Sequence, residues 1–398
     1  MTSEHYRVIA EINLDAISNN IKEIQKNISK DTEIMAVVKA DAYGHGAIEV
    51  SRILIENGVQ RLAVAILDEG KQLREEGFNV PILILGYTPA EQAGELVSYD
   101  LIQTVFSFEM AKAISDSAVK QNKKAKIHLK IDTGMSRIGF KPDKESIKTI
   151  KEINQLPNIN IEGIFTHFSS ADEADTSFTQ QQFSIFNAFI KALEEEGLKI
   201  PVKHCSNSAG FMLDERMHMN LIRPGIIIYG LYPSNEVNKE KIHLKPAMSL
   251  KSQVVFVKEV EENTPVSYGR KFITSKKTKV ATIPVGYADG YSRRLSSSGR
   301  VLINGEYAPI IGNICMDQFM VDVSHISDVE VGTEVVLIGQ QGQNSISAEE
   351  IADIIGTINY EVVCMVGKRI PRLYIENKEV IKKIMYVNES EKIDEKIN

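Results

Sequence analysis

The fold class this sequence predicts is α/β: an N-terminal (β/α)8 barrel of the TIM type, followed by a mostly-β C-terminal domain. Three observations predict it. Over roughly the first 240 residues, short apolar runs alternate with amphipathic stretches. About eight such units follow one another, and repeated strand–helix units give parallel strands that can close into a barrel. After about Leu244 the texture changes to short β-branched runs broken by turn signals. The length, 398 residues, suits two domains. The expected division is 1–243 for the barrel, 244–387 for the β domain and 388–398 for a frayed tail. The first ~12 residues can pair with the β domain. An open, doubly wound sheet is the rival arrangement for the first half.

Asp15 is placed to cap a helix whose apolar stripe is Ile17, Ile21, Ile24 and Ile28. The run from Ile34 to Val38 is continuously apolar, as in a strand buried on both faces. Leu62 to Ile66 precedes the charged stretch Asp68 to Glu76, and Pro81 to Leu85 precedes Ala90 to Val97. Leu101 to Val105 leads into a helix from about Ser107 to Val119. Lys126 to Ile131 and Ile159 to Ile164 continue the rhythm, and a long helix runs from about Phe178 to Glu196. Val202 to His204 and Met219 to Arg223 complete the set of strands. In the second half, Lys279 to Ile283 and Val335 to Ile338 read as strands. Val301 to Ile303 and Tyr307 to Ile310 flank Asn304-Gly305, a two-residue hairpin signal. Ser347-Ala348-Glu349-Glu350 is a capping box ahead of Ile351, Ile354 and Ile355. The tail from Asn388 is charged and has little to bury.

Composition narrows the function classes. With hydrophobic residues at 43% there is ample material for a large core, so whole-chain disorder is excluded. The formal net charge of −7 argues against a partner recognised by neutralising phosphates, so no nucleic acid is expected. Cys205, Cys315 and Cys364 are odd in number and far apart, which gives neither a disulfide framework nor a metal knuckle and suits a reducing cytoplasm. Met1 to Arg7 lacks the apolar core of a secretory signal, and no apolar run approaches the ~18 residues of a membrane span.

Several segments place reactive side chains at strand ends. In Val37-Val38-Lys39-Ala40-Asp41-Ala42-Tyr43-Gly44-His45-Gly46, a lysine closes the first apolar strand. In a barrel, Lys39 would lie at the carboxyl end, where barrel enzymes keep their active sites. Desolvation there can make its amine nucleophilic, although a lysine at a strand end is ordinarily a surface residue. The Tyr43 hydroxyl and the backbone amides around Gly44 and Gly46 could hold an anion, while a lone Gly-x-Gly does not make a dinucleotide site. Further on, Lys130 lies inside a strand with Asp132 on the same side, and the turn after it presents Arg137, a side chain that grips a carboxylate in bidentate fashion. These could equally form a structural Lys–Asp–Arg network. His167 and His204 follow strands, and Asn207-Ser208 opens a helix whose hydroxyl and N–H groups suit a phosphate. Arg223-Pro224-Gly225-Ile226 ends the eighth strand, and Gly225 would let a ligand approach the backbone. Either histidine alone is better explained as a satisfied structural residue than as a catalyst. In the second half, Tyr268, the Cys315-Met316-Asp317 segment and Tyr360 are polar points in apolar surroundings.

Taken in order, AVVKADAYGHG, HLKIDTGMSRIGF, THFSSAD, HCSNSAG, RPGIIIYG, SYGRKF, PVGYADGY, CMDQ, TINYEV and KRIPR resemble the alanine racemases, bacterial enzymes that use pyridoxal 5′-phosphate (PLP). The match runs across both halves. The resemblance implies a PLP-binding barrel, a β domain and a head-to-tail homodimer whose active sites each use both chains. It implies that Lys39 holds PLP as a Schiff base and serves as the acid–base group for the D enantiomer, with Tyr268 serving the L enantiomer on the opposite face. His167 would hydrogen-bond Tyr268, and Arg223 would face the pyridine nitrogen, leaving the ring a weaker electron sink than an acidic partner would. Tyr43, Asn207, Ser208, Gly225, Ile226 and Tyr360 would bind the cofactor at its phosphate. Arg137 would hold its phenolic oxygen and help with the substrate carboxylate, which the Met316 N–H completes. Lys130 matches a position that in many relatives carries a carbamate, and Tyr287 and Asp317 would line the entrance. Relatives often have Arg two residues before Cys-Met-Asp, where this chain has Asn313, so the charge pattern of the entrance differs.

The function this implies is cytoplasmic interconversion of L- and D-alanine, supplying D-alanine for peptidoglycan. A broader racemase acting on serine shares the scaffold. A non-catalytic PLP-carrier protein has a similar barrel and lysine but no β domain. A decarboxylase of the same fold would carry an acidic residue in place of Arg223.

Overall fold

The computed structural model describes residues 6–386. It forms two compact units, one from Ala16 to Lys245 and the other from the described residues up to Asp15 together with those from Pro246 onward. The expected frayed tail, 388–398, lies outside the described residues.

The chain begins with β1 (Val8–Asn13), which belongs to the second unit. The first unit is a ring of parallel strands: β2 (Glu33–Val37), β3 (Arg61–Val64), β4 (Ile82–Ile84), β5 (Ile102–Val105), β6 (Ala125–Lys130), β7 (Ile159–Phe165), β8 (Val202–His204) and β9 (Leu221–Ile222). Their order is β8-β7-β6-β5-β4-β3-β2-β9. The gap between β8 and β9 is bridged past the strand ends. Arg223 N–H donates to the Ser206 carbonyl at 3.0 Å, and the Asn220 side chain links the Pro201 carbonyl to the Lys203 N–H. The eighth strand is shorter than Met219 to Arg223 because Met219 takes φ 50°, outside the β region. Parallel strands covered by helices are buried on both faces, which is why β4, and β3 after Arg61, read as unbroken apolar runs.

The first helix, Leu14–Lys26, starts one residue before Asp15 because β1 runs straight into it. Asp15 therefore sits in the first turn, and its carboxylate accepts from the Asn377 N–H at 2.8 Å. Ile17, Ile21 and Ile24 are fully buried, each contributing about 1.5–3 kcal/mol of transfer free energy, and Ile28 lies past the helix end. Ser107 caps the helix Phe108–Lys120 through the Met110 N–H, and the long helix is Ser177–Glu195.

The second unit contains β10 (Met248–Gln253), β11 (Phe256–Val260), β12 (Pro265–Val266), β13 (Phe272–Ile273), β14 (Thr278–Ile283), β15 (Arg300–Ile303), β16 (Glu306–Ile311), β17 (Phe319–Asp322), β18 (Glu334–Gln341), β19 (Asn344–Ile346), β20 (Arg372–Glu376) and β21 (Glu379–Ile384). Ten strands run in the order β11-β14-β17-β16-β15-β18-β10-β1-β20-β21, with β19 beside β18, and β12 and β13 form a separate hairpin. The N-terminal β1 is an inner strand, antiparallel to β10 and parallel to β20. Asn304 and Gly305, at φ 52° and 81°, turn the β15–β16 hairpin as the sequence signal demands. Ser347 accepts from the Glu350 N–H, and Gly356 ends the helix Ala348–Ile355 in the left-handed region.

Candidate active site

Because the barrel strands are parallel, everything that follows their carboxyl ends gathers on one rim. Lys39 comes two residues after β2, Lys130 is the last residue of β6, His167 follows β7, Asn207 and Ser208 follow β8, and Arg223, Gly225 and Ile226 follow β9.

The Lys39 turn is unusual. Ala40, Asp41 and Ala42 all lie near φ 52°, ψ 50°, and Tyr43 has φ 55°, so four L-residues in a row are left-handed. Each costs about 1–2 kcal/mol, so the surroundings must hold the turn. Glu69 does much of this: its carboxylate accepts from the Ala40 N–H at 2.6 Å and from the Ala65 and Ile66 N–H groups. Asp41 accepts from the Ala47 N–H at 2.8 Å. The His45 ring Nδ1 lies 3.0 Å from both the Ala42 and Tyr43 carbonyls, so that nitrogen carries the proton. Tyr43 packs against Tyr229, whose hydroxyl donates to the Val37 carbonyl. Glu69 and His45 were not singled out in the sequence. An acidic residue in the first turn of the helix Leu67–Glu75 was the available signal.

The far side of the rim is held as closely. The Ser208 hydroxyl accepts from the Gly225 N–H at 2.9 Å. A Cβ on Gly225 would stand 2.6 Å from the Tyr43 hydroxyl, so only glycine leaves that space. Asn207 caps the helix Ser208–Leu213 by accepting from the Gly210 N–H.

Positive charge dominates here. Arg223 is 3% exposed, and among the described residues its hydrogen bonds run to His204 Nδ1, the Thr166 and Cys205 carbonyls and His167 Nδ1, all neutral groups. Burial lowers its pKa to about 10. Lys130, also buried, donates to the Ile131 carbonyl at 2.8 Å. Burial first and Arg223 second lower its pKa to about 7, with Asp132 opposing. Lys130 and Arg223 both lie over the ring of Phe165, at 5.5 and 5.2 Å from its centroid. His167 is held well below its usual range by burial, then by Arg223, Arg137, Lys130 and Lys39, so its ring is neutral. Arg137 stays exposed in the loop after β6. The rim is thus built for an anion.

The β unit brings its residues together separately. Tyr268 begins a single turn, Tyr268–Arg270, and is 73% exposed. Asn313 is buried and braces this loop: its amide donates to the Tyr268 carbonyl at 2.6 Å, and its carbonyl accepts from the Ser267 hydroxyl at 2.6 Å. The residue read as a change of entrance charge is therefore also a structural tie. Met316 and Asp317 are exposed, and the loop carrying them is stitched to the Tyr287 turn. The Tyr287 and Ala288 N–H groups donate to the Cys315 and Met316 carbonyls, where a Cβ on Gly286 would come within 2.3 Å. Asp289 anchors the turn with Arg7 and Arg369, and Arg369 also pairs with Asp317 at 2.7 Å. Burial opposes the ionisation of Asp289, but the two arginines outweigh it and hold the carboxyl below its ordinary range. Tyr360 is half-buried in the helix Asn359–Cys364.

Comparison with known proteins supplies a frame for these two clusters. The family models described as alanine racemase, N-terminal domain, and alanine racemase, C-terminal domain, match residues 12–233 and 247–374. An alanine racemase of Clostridium perfringens is 52% identical over 380 residues, 96% of this chain and 98% of that protein. Among solved structures, alanine racemase of Clostridium difficile 630 superposes with a TM-score of 0.92 at 44% identity, covering 96% of this chain and 98% of that one. The alanine racemase of Bacillus anthracis with bound L-Ala-P gives a TM-score of 0.92 at 38% identity, covering 97% and 99%. The two matched regions, the barrel and the sheet they fall on, and the near full-length identity agree: this chain belongs to the alanine racemase family.

Proposed function

We propose that the protein interconverts L- and D-alanine with bound PLP. The observation that carries this reading is the barrel rim, where a lysine, a buried arginine and a glycine-floored cradle meet in a field of positive charge. The rim fits the cofactor on its own terms. The Tyr43 hydroxyl and the Ser208 side chain both approach Gly225, where a Cβ would not fit; with the neighbouring Asn207 and Ile226 they would hold the phosphate, and Arg223 is a sealed donor without a carboxylate among its described partners. Lys39 would be PLP's covalent anchor, Tyr360 would join the phosphate site, and Arg137 would hold the phenolic oxygen. When bound, PLP supplies electron withdrawal that acidifies the substrate's Cα–H.

The chain's own groups do the rest. Racemisation takes a proton from one face of Cα and returns one to the other. Lys39 handles the face of the D enantiomer and Tyr268 that of the L enantiomer. Neutral His167, with Nδ1 accepting from Arg223, has an Nε2–H to donate to Tyr268. Arg223 remains a cationic donor and does not hand a full proton to the ring, which limits charge build-up there. Arg137 and the Met316 N–H hold the substrate carboxylate. Lys130, carbamylated, would present an anion to orient Arg137. Tyr287 and Asp317 border the entrance. Tyr268 comes from a second copy of the chain in a homodimer.

Among the described residues no helix is long and apolar enough to cross a membrane. The reading places the enzyme in the cytoplasm, supplying D-alanine for peptidoglycan. The test is direct: protein loaded with PLP is given L-alanine, and D-alanine is followed with D-amino-acid oxidase. Product that appears only with PLP, at a kcat/KM well above that for serine, supports the reading. Turnover of serine preferred over alanine, or none of either, overturns it.

A further inference from the structure

Arg223 is a buried cation whose immediate partners are all neutral, yet a carboxylate does answer it from farther inside the barrel. Arg223 Nη1 lies 2.8 Å from His204 Nδ1, His204 Nε2 lies 2.9 Å from His128 Nδ1, and His128 Nε2 lies 3.1 Å from Glu162 Oε2. Glu162 in turn accepts from Arg61 at 2.7 Å, and Arg61 also pairs with Glu33 at 2.5 Å. Arg61 and Glu33 open β3 and β2, so the line of contacts runs from the carboxyl rim to the amino end of the barrel.

The direction of every hydrogen bond in this line is forced. A guanidinium only donates, so His204 Nδ1 must hold a lone pair. Both imidazoles are neutral: burial, then for His204 the charge of Arg223, pushes their pKa values down. His204 therefore carries its proton on Nε2 and donates to His128 Nδ1. His128 then carries its proton on Nε2 and donates to Glu162. Burial opposes the ionisation of Glu162, but His128 and Arg61 outweigh it and hold the carboxyl at about 2. The reverse polarity would set an N–H against the guanidinium at one end and a lone pair against the carboxylate at the other.

We propose that Glu162, acting through His128 and His204, is a positioning residue that fixes how Arg223 presents its guanidinium at the rim, by anchoring the two imidazoles in the tautomers that the guanidinium and the carboxylate require from either end. The consequence for the reaction rests on the PLP reading above, whereas the anchoring of the rings does not. None of the three touches the reacting atoms.

The test uses full-length, PLP-loaded protein with 15N-labelled histidine. The expected result is a lone-pair signal for Nδ1 and a protonated signal for Nε2 on both rings, with a nitrogen–nitrogen coupling across the His204–His128 hydrogen bond. A proton on His204 Nδ1, an imidazolium on either ring, or no coupling overturns the proposal in the unaltered protein. Two variants then separate positioning from packing. In Glu162→Gln the amide oxygen can still accept from both His128 and Arg61, so coupling and kcat should persist. In Glu162→Leu nothing accepts from the His128 Nε2–H, so that ring is no longer held against His204; the coupling should vanish and kcat fall about tenfold with KM unchanged, the scale on which outer-shell partners act. A Leu variant that keeps the coupling and its kcat overturns the proposal, as does a Gln variant that behaves like Leu. If the unaltered protein shows the ring pattern but racemises nothing, the PLP reading fails instead.

Discussion

In the barrel, Arg223 is 3% exposed, and Tyr43 and Ser208 are buried; in the β unit, Tyr268 is 73% exposed, Met316 53% and Tyr287 44%. The barrel's rim is largely buried and pre-formed: Lys130, Asn207, Ser208 and Arg223 are each tied by a neighbour, and Glu69 holds a left-handed turn in place. The β unit's share is a set of well-braced loops whose tips face solvent. Asn313, Asp289 and Arg369 fix their bases and leave Tyr268, Met316 and Tyr287 exposed. A cofactor held for many turnovers calls for the first kind of surface. A tyrosine open to bulk water is not set for proton transfer at a substrate carbon, so the second kind must be covered to work. In the proposed homodimer that cover is a second chain.

The difference can be broken most severely at Lys39. Lys39→Ala should lower kcat by about 10³-fold or more, because it removes the covalent anchor and one proton carrier together. Borohydride treatment followed by mass spectrometry should fix PLP to the Lys39 peptide of the unaltered protein and to none in the variant. An adduct retained on another lysine would contradict the assignment. The next effect tests the exposed half. Inactive Lys39→Ala and Tyr268→Ala chains, mixed and allowed to exchange, should recover about a quarter of the unaltered activity. Random pairing makes half the dimers mixed, and each mixed dimer has one intact site. Mixing restores nothing if both groups act within one chain, and full activity in a monomer would also refute sharing.

A smaller effect sharpens the account of the barrel. Gly225→Ala puts a methyl 2.6 Å from the Tyr43 hydroxyl, at the end of a turn that cannot yield freely. PLP affinity should weaken about tenfold, with a stability loss of about 1–3 kcal/mol typical of overpacking. Fluorescence titration with PLP and thermal unfolding measure the two. Unchanged affinity would mean that the space against Tyr43 is not the cofactor's.

Much of this was legible because it is periodic or local. Apolar runs spaced by amphipathic helices gave the barrel, and a lysine or arginine directly after such a run had to lie on its rim. The hairpin at Asn304-Gly305 and the cap at Ser347 needed only their own residues. What was hidden depends on distant partners. Asp15 looked like a cap until Asn377 claimed its carboxylate. Glu69 supports a turn that precedes it by 29 residues, and no propensity suggests four left-handed L-residues. His128 stands in a family-like motif but was given no role there, because its role exists only when β6, β7 and β8 align it between Glu162 and His204. Asn313 was read for its charge, while its amide geometry became visible only against the Ser267–Tyr268 loop.

Lys130 gives the smallest expected effect. A buried amine with pKa about 7, against 10.5 for an ordinary lysine, is half unprotonated at neutral pH. Only that form attacks CO₂: the nitrogen–carbon bond forms, a proton leaves, and the product is a carbamate anion. In CO₂-free buffer the unfolded chain keeps the lysine proton up to about pH 10.5, whereas the folded chain has lost it above about pH 7. The unfolded state then binds more protons, so this group makes stability rise with pH between those values and contributes no slope below them. Lys130→Met should remove that slope in denaturant titrations run across the range. Adding ¹³C-labelled CO₂ should give a carbamate resonance and raise kcat about threefold over CO₂-free protein, less at pH 6 than at pH 8, because the ammonium form cannot react. A slope that survives in Lys130→Met would place the titration elsewhere, and a CO₂ response with the same size at both pH values would remove Lys130 from it.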